Sequence, residues 1–180
     1  DPSLDRVVTR FIDRARQQSL AWLVFFVIVV ELIGFGIVIP ILPFLSPQLG
    51  GGTDDIAFIL ATYSVAAAIV APLWGRLSDR VGRRRILGIC LLGGAVSHFL
   101  LAIADTLWLV YASRAVAGMM AGGVPVATAL IADASTPEQR SRAMGLCGRA
   151  FGIGLILGPV IGGVLARSET DFMLPCLVAG

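Results

Sequence analysis

The chain has few charged residues and no lysine. Charged side chains make up 14% of its 180 residues, hydrophobic side chains make up 57%, and the mean hydropathy is +0.87. A soluble domain carries about 25% charged residues, so this composition excludes a soluble protein and predicts one that crosses a membrane several times. Because every basic residue is arginine, the chain also lacks the lysine-containing glycine loop that binds nucleotide phosphates.

Cysteine and histidine are scarce as well. Cys90, Cys147 and Cys176 show no paired spacing, and His98 is the only histidine. This pattern predicts neither a disulfide framework nor a metal site. An intramembrane enzyme is the alternative that it disfavours, because His98 has no evident nucleophilic partner. We therefore expect a protein that is not an enzyme, with no cofactor and no nucleic-acid partner. His98 itself is interpreted either as a structural hydrogen-bond donor or as a proton relay.

Apolar runs divide the chain into candidate membrane helices. A helix needs roughly 20 apolar residues to cross a bilayer, and runs of about this length are separated here by short polar segments. We predict an all-α fold in which an amphipathic cytoplasmic segment at 1–18, lying on the membrane surface, precedes a transmembrane bundle at 19–180. The predicted spans are 21–45, 56–74, 86–104, 107–132, 143–166 and the start of a sixth from 172 onward.

Arginine is distributed unequally between alternate loops. The amino-terminal segment and the loops at 75–85 and 133–142 contain arginine, whereas 46–55 and 105–106 contain none. Cytoplasmic loops are enriched in basic residues, so we expect the arginine-bearing segments to face the cytoplasm. Trp74 falls at the end of a predicted span and is interpreted as an interfacial anchor.

The loop at 75–85 carries a pattern that positive charge alone does not explain. A glycine is followed by an acid four residues on, then a base, a second glycine and consecutive bases. This order resembles the signature loop between the second and third helices of the major facilitator superfamily of secondary transporters. The matching residues are Gly75, Asp79, Arg80, Gly82, Arg83 and Arg84.

Two further stretches extend the resemblance. The fourth span is similar to the superfamily's arginine motif, and the fifth is similar to the motif of its drug antiporter branch, which symporters usually lack. The first span resembles that of tetracycline efflux proteins, although these carry an aspartate where this chain has Glu31. The residues concerned are Arg114, Gly118 and Gly122 in the fourth span, and Gly154, Gly158, Pro159, Gly162 and Gly163 in the fifth.

The resemblance implies the amino-terminal six-helix half of a twelve-helix transporter in the bacterial inner membrane, with the carboxy-terminal half missing. A natural half-size transporter that dimerises is the alternative. The implied activity is secondary active export of a small amphipathic drug-like compound in exchange for protons, by alternating access. A substrate:proton symporter or uniporter of the same superfamily is the second possibility, and the Gly158-Pro159 motif argues against it.

Two charged residues inside the predicted spans are candidates for a proton or substrate site. Burying a charge at the centre of a bilayer costs about 2.5 to 3.5 kcal/mol on the mildest scale. Glu31 avoids this cost if it binds a proton, so a proton site competes with a structural hydrogen bond. Arg114 cannot be neutralised, and a functional role competes with snorkelling outward. The resemblance implies that Glu31 accepts the proton and that Arg114 modulates the acid's affinity or orients the substrate.

The resemblance also implies a cytoplasmic gate. In the superfamily the loop acid engages the opposite half, and a downstream arginine links it to an acid at the end of the fourth helix; we assign these roles to Asp79, Arg83 and Asp133. The alternative is three solvated surface charges. The glycines of the fourth and fifth spans are interpreted as helix-packing residues, and Gly158-Pro159 as a kink.

Overall fold

The structure is a computed structural model that describes the backbone of residues 2–165 and the side chains of residues 17–164. The sixth predicted span lies outside the described residues, as does Cys176. The described chain is almost entirely helical. Its helices are α1 (Pro2–Gln48), α2 (Thr53–Val81), α3 (Arg83–Ala102), α4 (Leu107–Met119), α5 (Gly123–Ala134) and α6 (Pro137–Leu165).

Five stretches of the described chain are long and apolar enough to cross a membrane, and α4 and α5 together form the fourth of them. The protein is therefore an integral membrane protein with an all-α fold. Helix α1 packs most extensively against α6, whereas α4 packs against α2 and α3. Little of the apolar span of α2 is fully buried, so this helix lies at the edge of the described bundle.

Helix α1 runs without a break through the predicted boundary at residue 18. The amphipathic segment and the first span are thus one continuous helix; the side chains that would define the amphipathic face lie outside the described part. Three prolines, Pro40, Pro43 and Pro47, occur inside the last three turns of α1. Each removes a backbone donor, yet the backbone stays helical to Gln48.

The loops are shorter than the sequence suggested. Between α2 and α3 only Gly82 lies outside a helix, with a φ of 105° that favours glycine. Similarly, α5 continues to Ala134 and α6 begins at Pro137. The polar segments at 75–85 and 133–142 are therefore mostly helix ends. The physical reason is that hydropathy shows where a helix leaves the apolar layer, and a helix can continue beyond that point as a polar one.

The fourth span is not the single uninterrupted helix that the sequence interpretation assumed. It breaks in a turn at Met120–Gly122, between α4 and α5. Gly122 and Gly123 weaken the helix locally. Pro125 is tolerated just after the break, because an N–H in the first turn of a helix has no intrahelical partner.

Two apolar clusters among the described residues stabilise the bundle, and α1 contributes to both of them. The first cluster is built from the amino-terminal half of α1 with α3, α5 and α6, and includes Val24, Ile28, Ile86, Val126 and Ala150. The second is built from the carboxy-terminal half of α1 with α2, α3 and α4, and includes Ile37, Ile41, Ile59, Leu101 and Val110.

Glycines bring α1 and α6 into backbone contact. A Cβ added at Gly158 would lie 2.7 Å from the Cα of Gly36, and one added at Gly154 would lie 2.6 Å from the Cβ of Leu32. Gly162 faces α1 in the same way, whereas a Cβ at Gly163 would meet open space. Three of the four glycines expected to pack therefore do so, and α6 stays helical through Pro159, whose ring lies against Gly36.

The arginine-bearing segments meet at one end of the bundle. Arg83 at the start of α3 contacts Asp133 near the end of α5. The Gln17 side chain of α1 donates a hydrogen bond of 3.1 Å to the carbonyl of Ala134. These contacts place Gln17 of α1, the α2–α3 junction and the α5–α6 junction on one side, as the arginine distribution had indicated.

Candidate functional site

A cavity of about 300 Å³ lies between α1, α2, α3 and α4. Glu31 and Gly34 on its α1 wall fall between the parts of α1 whose buried residues belong to the two apolar clusters. It contains both charged residues that the sequence singled out, Glu31 and Arg114. Tyr63 and His98 add polar groups to its wall, while most of the remaining lining is apolar.

Arg114 is buried within the bundle. Its relative exposure is 2%, so the described bundle does not allow the snorkelling that was the alternative interpretation. It lies within electrostatic range of Tyr63 and of His98. The cavity therefore contains a permanent positive charge, which favours an anionic or polarisable group nearby.

The Glu31 side chain crosses from α1 to the break in the fourth span. Its carboxylate lies beside the backbone of Gly123 and Val124, and a Cβ added at 123 would lie 2.7 Å from the Glu31 Cδ. Its Oε2 atom is buried and has no partner in hydrogen-bond geometry among the described residues. The carboxyl group thus lies at the first turn of α5 and has an oxygen with unused acceptor capacity.

The other side of the break is held by α2. The indole N–H of Trp74 donates a hydrogen bond of 2.6 Å to the carbonyl of Met119, the last residue of α4, and the indole ring lies where a Cβ at Gly122 would be. Trp74 thus contacts the broken helix, and its interpretation as an interfacial anchor stays a prediction. Its position at a span end was correct, but its partner is a carbonyl of the broken helix.

His98 joins α3 to α1. Its Nδ1 lies 2.8 Å from the carbonyl oxygen of Gly94, and its Nε2 lies 3.1 Å from that of Gly34. A neutral imidazole has one N–H and can donate to only one of these acceptors, whereas an imidazolium donates to both. The structural role that the sequence left open is thus present in the geometry.

Gly118 allows α4 to approach α2. A Cβ at this position would collide with the backbone oxygen of Tyr63 and would lie 2.8 Å from the Cβ of Ala66. Gly118 and Gly122 both face α2, as a glycine ladder predicts, although only Gly118 lies within a regular helix. The close approach places the Tyr63 ring beside Phe35, with ring centroids 5.1 Å apart, on the cavity wall.

A second charged cluster lies at the arginine-rich end of the bundle. Arg83 is 3.0 Å from Asp79 and 2.6 Å from Asp133, so one guanidinium bridges an acid four residues before it and an acid 50 residues after it. The Arg83 side chain is 20% exposed, whereas both acids are 63% exposed. The structure thus brings together the three residues of the expected gate. The other residues of the signature loop, Gly75, Arg80, Gly82 and Arg84, are exposed, and Arg80 and Arg84 form no salt bridge with the described residues.

The sequence analysis missed Tyr63, Trp74 and Gly123 as parts of this site. Each acts through a contact with a distant helix, which local composition does not reveal. One signal was available: the run Gly122-Gly123-Val-Pro125 is unusual inside a membrane span and could have predicted the break.

Two known proteins that are similar in sequence to this chain are both named as resistance proteins. The chain is 36% identical over 159 residues to the class E tetracycline resistance protein of Escherichia coli. The aligned region covers 86% of this chain and 39% of that protein. It is 34% identical over 160 residues to the quinolone resistance protein NorA of Staphylococcus aureus. This aligned region covers 88% of this chain and 41% of that protein. The chain therefore spans about two fifths of the length of these relatives.

A solved structure and a family profile also match this chain. The crystal structure of the human organic anion transporter MFSD10 (TETRAN) superposes with a TM-score of 0.77 at 26% identity, over 91% of this chain and 46% of that one. A sequence profile of the Major Facilitator Superfamily matches residues 24–180. The chain belongs to the Major Facilitator Superfamily.

Proposed function

We propose that this chain is the amino-terminal part of a drug:proton antiporter, which exports a small amphipathic compound in exchange for protons by alternating access. The names of its relatives, which refer to tetracycline and quinolone resistance, support the substrate class. Their greater length supports a second half that completes the transporter. The energy source is the proton gradient, and the transporter needs no cofactor.

The observation that carries this proposal is the position of Glu31. Its carboxyl group reaches the break beside a membrane-embedded cavity, and its buried Oε2 has no hydrogen-bond partner among the described residues. A purely structural carboxylate in such a place is normally fully hydrogen-bonded. A carboxyl group with an unused acceptor in a desolvated cavity is suited to taking up a proton and releasing it again.

Arg114 and the cavity wall form the rest of the site. The guanidinium stabilises the unprotonated carboxyl group or an electron-rich group of the substrate, while Phe35 and Tyr63 offer aromatic surface to an amphipathic compound. Proton and substrate then compete for one electrostatic environment. Such competition is what an antiporter requires, because occupation by one must oppose occupation by the other.

Asp79, Arg83 and Asp133 form the gate on the side that carries the arginines. By the positive-inside rule this side faces the cytoplasm of a bacterium, which places the amino terminus inside the cell. The bridge stabilises one of the two access states, and the opposite half of the transporter supplies the surface against which it closes.

The test is transport by the full-length protein in proteoliposomes with an imposed pH gradient. We expect Glu31→Gln to lose gradient-driven drug uptake while retaining exchange of labelled for unlabelled drug. Glu138→Gln is the matched control, because Glu138 is an exposed acid at the start of α6, and it should behave as the unmodified protein. Gradient-driven uptake that is unchanged in Glu31→Gln would refute the proton role, and proton movement in the same direction as the drug would identify a symporter.

A further inference from the structure

The break in the fourth span suggests that the proton site is larger than one acid. We propose that Glu31 and the first turn of α5 form a single proton-responsive unit, in which Gly123 and Val124 position the carboxylate and the proton state of Glu31 sets how firmly α5 is held. This inference rests on the proposed function of Glu31 and adds residues to it.

The hydrogen-bond partners of the backbone N–H groups at the start of α5 support this proposal. The N–H of Gly122 bonds to the carbonyl of Met120 at 2.7 Å, and the N–H of Val126 bonds to that of Gly122 at 3.1 Å. Pro125 has no N–H. Gly123 and Val124 are left, and these are the two residues whose N–H groups face the Glu31 carboxylate.

Glu31 therefore caps α5 from another helix. The residue at the N-cap position of α5 is Gly122, which provides no side-chain cap. These N–H groups have no partner within α5, so an acceptor on another helix can satisfy them. A carboxylate is a favourable acceptor at this position, because the N-terminal end of a helix carries partial positive charge.

Gly123 is the positioning residue of this arrangement. A Cβ at 123 would collide with the Glu31 carboxylate and would lie 2.7 Å from its Cδ. The carboxylate occupies the space that any other amino acid at 123 would fill. Only glycine at this position lets the acid approach both amides.

Protonation weakens this cap by the same chemistry. A carboxylate has two acceptor oxygens with full negative charge, whereas a carboxylic acid is neutral and one of its oxygens carries the proton. The other titratable groups that face the cavity are Tyr63 on α2, Cys90 and His98 on α3, and Arg114 on α4. All of them lie on elements other than α5, so a change at 123 perturbs the cap and leaves them in place.

Helix α5 connects this unit to the charged cluster at the other end. Its 12 residues span about 18 Å at a rise of roughly 1.5 Å per residue, and Asp133 lies in its last turn. Glu31 contacts the first turn of α5, and Arg83 contacts its last turn. If one of these contacts is lost, α5 can shift, and the shift changes the contact at its other end. Proton binding at Glu31 is thereby coupled to the Arg83–Asp133 contact.

The experiment is amide hydrogen exchange of the full-length protein, resolved to residues 122–126. Loss of a helix N-cap corresponds to about 2- to 30-fold faster exchange of the affected amides, and we expect this for Gly123 and Val124 in Glu31→Gln. Gly123→Ala should give the same acceleration, because the new Cβ displaces the carboxylate. Gly88→Ala is the control: it also replaces a helical glycine, but Gly88 is exposed and its Cβ would meet open space.

The outcomes separate this inference from the proposed function. Unchanged exchange at 123 and 124 in Glu31→Gln overturns the inference, and if gradient-driven transport is lost in the same variant, the proton role of Glu31 stands alone. Intact gradient-driven transport in Glu31→Gln overturns both. Equal exchange and transport in Gly123→Ala and Gly88→Ala overturns the positioning role of Gly123. Should Gly123→Ala fail to fold, Glu31→Gln decides the matter, since it leaves the space at 123 unchanged.

Discussion

The bridge centred on Arg83 allows a quantitative test of the proposed gate. Replacing Arg83 with Gln removes the charge from a side chain that contacts Asp79 at 3.0 Å and Asp133 at 2.6 Å. The two acids are mostly exposed and regain water when the arginine is lost. The change therefore measures the bridge itself and creates no buried unpaired charge.

The size of the effect follows from how far the bridge is desolvated. Exposed ion pairs contribute about 0.2 to 1 kcal/mol, and hydrogen bonds to charged groups contribute about 1.5 to 3 kcal/mol. This bridge is intermediate, because Arg83 is largely buried and its partners are not. If it forms in only one access state, its loss should shift the equilibrium between the states by about 1 to 2 kcal/mol, or roughly 5- to 30-fold.

The assay is the accessibility of engineered cysteines on the two faces of the full-length protein. We expect Arg83→Gln to increase labelling on the cytoplasmic side relative to the outer side by this factor. Arg84→Gln is the matched control, since Arg84 is exposed and forms no salt bridge with residues 17–164. An equal labelling ratio in the two variants, or strictly additive effects of Arg83→Gln and Asp133→Asn, would refute the gate.

Two further predictions concern stability and use melting of the purified full-length protein. Gly158→Ala places a Cβ 2.7 Å from the Cα of Gly36 and should destabilise the protein by about 1 to 3 kcal/mol; Gly163→Ala, whose Cβ meets open space, should be neutral, and equal melting temperatures would contradict the proposed contact. Trp74→Phe keeps an aromatic ring but removes the donor to Met119, which should lower the free energy of unfolding by about 0.5 to 1.5 kcal/mol. Trp108→Phe, at an 83% exposed position, should lower it less. An equal loss of stability in both variants would show that the Trp74 hydrogen bond does not stabilise the protein.

The sequence predicted the number and relative direction of the described spans because a bilayer imposes a simple pattern. Apolar runs of sufficient length must be buried in lipid, and arginines collect on one side. The contact between Arg83 and Asp133 agrees with that arrangement. Helix ends were placed less well, since α2 continues to Val81 and α6 begins at Pro137, and hydropathy does not report on helical structure outside the apolar layer.

The sequence predicted only those residues of the candidate site whose charge is costly to bury in a membrane. Glu31 and Arg114 stand out in the sequence because a charge inside a span must be compensated. Trp74 and Gly123 do not stand out, since a tryptophan near a span end and a glycine in a membrane helix are both common. Their importance arises from the approach of α1 and α2 to the fourth span, a tertiary contact that no local pattern encodes.

The break in the fourth span also limits how this bundle can move. Its carbonyl at Met119 accepts a hydrogen bond from Trp74 of α2, and in the proposed arrangement its amides at Gly123 and Val124 are held by Glu31 of α1. Separation of either helix from the break would leave unsatisfied backbone groups in the membrane, at a cost of several kcal/mol each. Movement of the whole bundle as a rigid body preserves both contacts. Movement within it requires that one contact first be weakened, and of these two partners only Glu31 can be weakened by adding a proton.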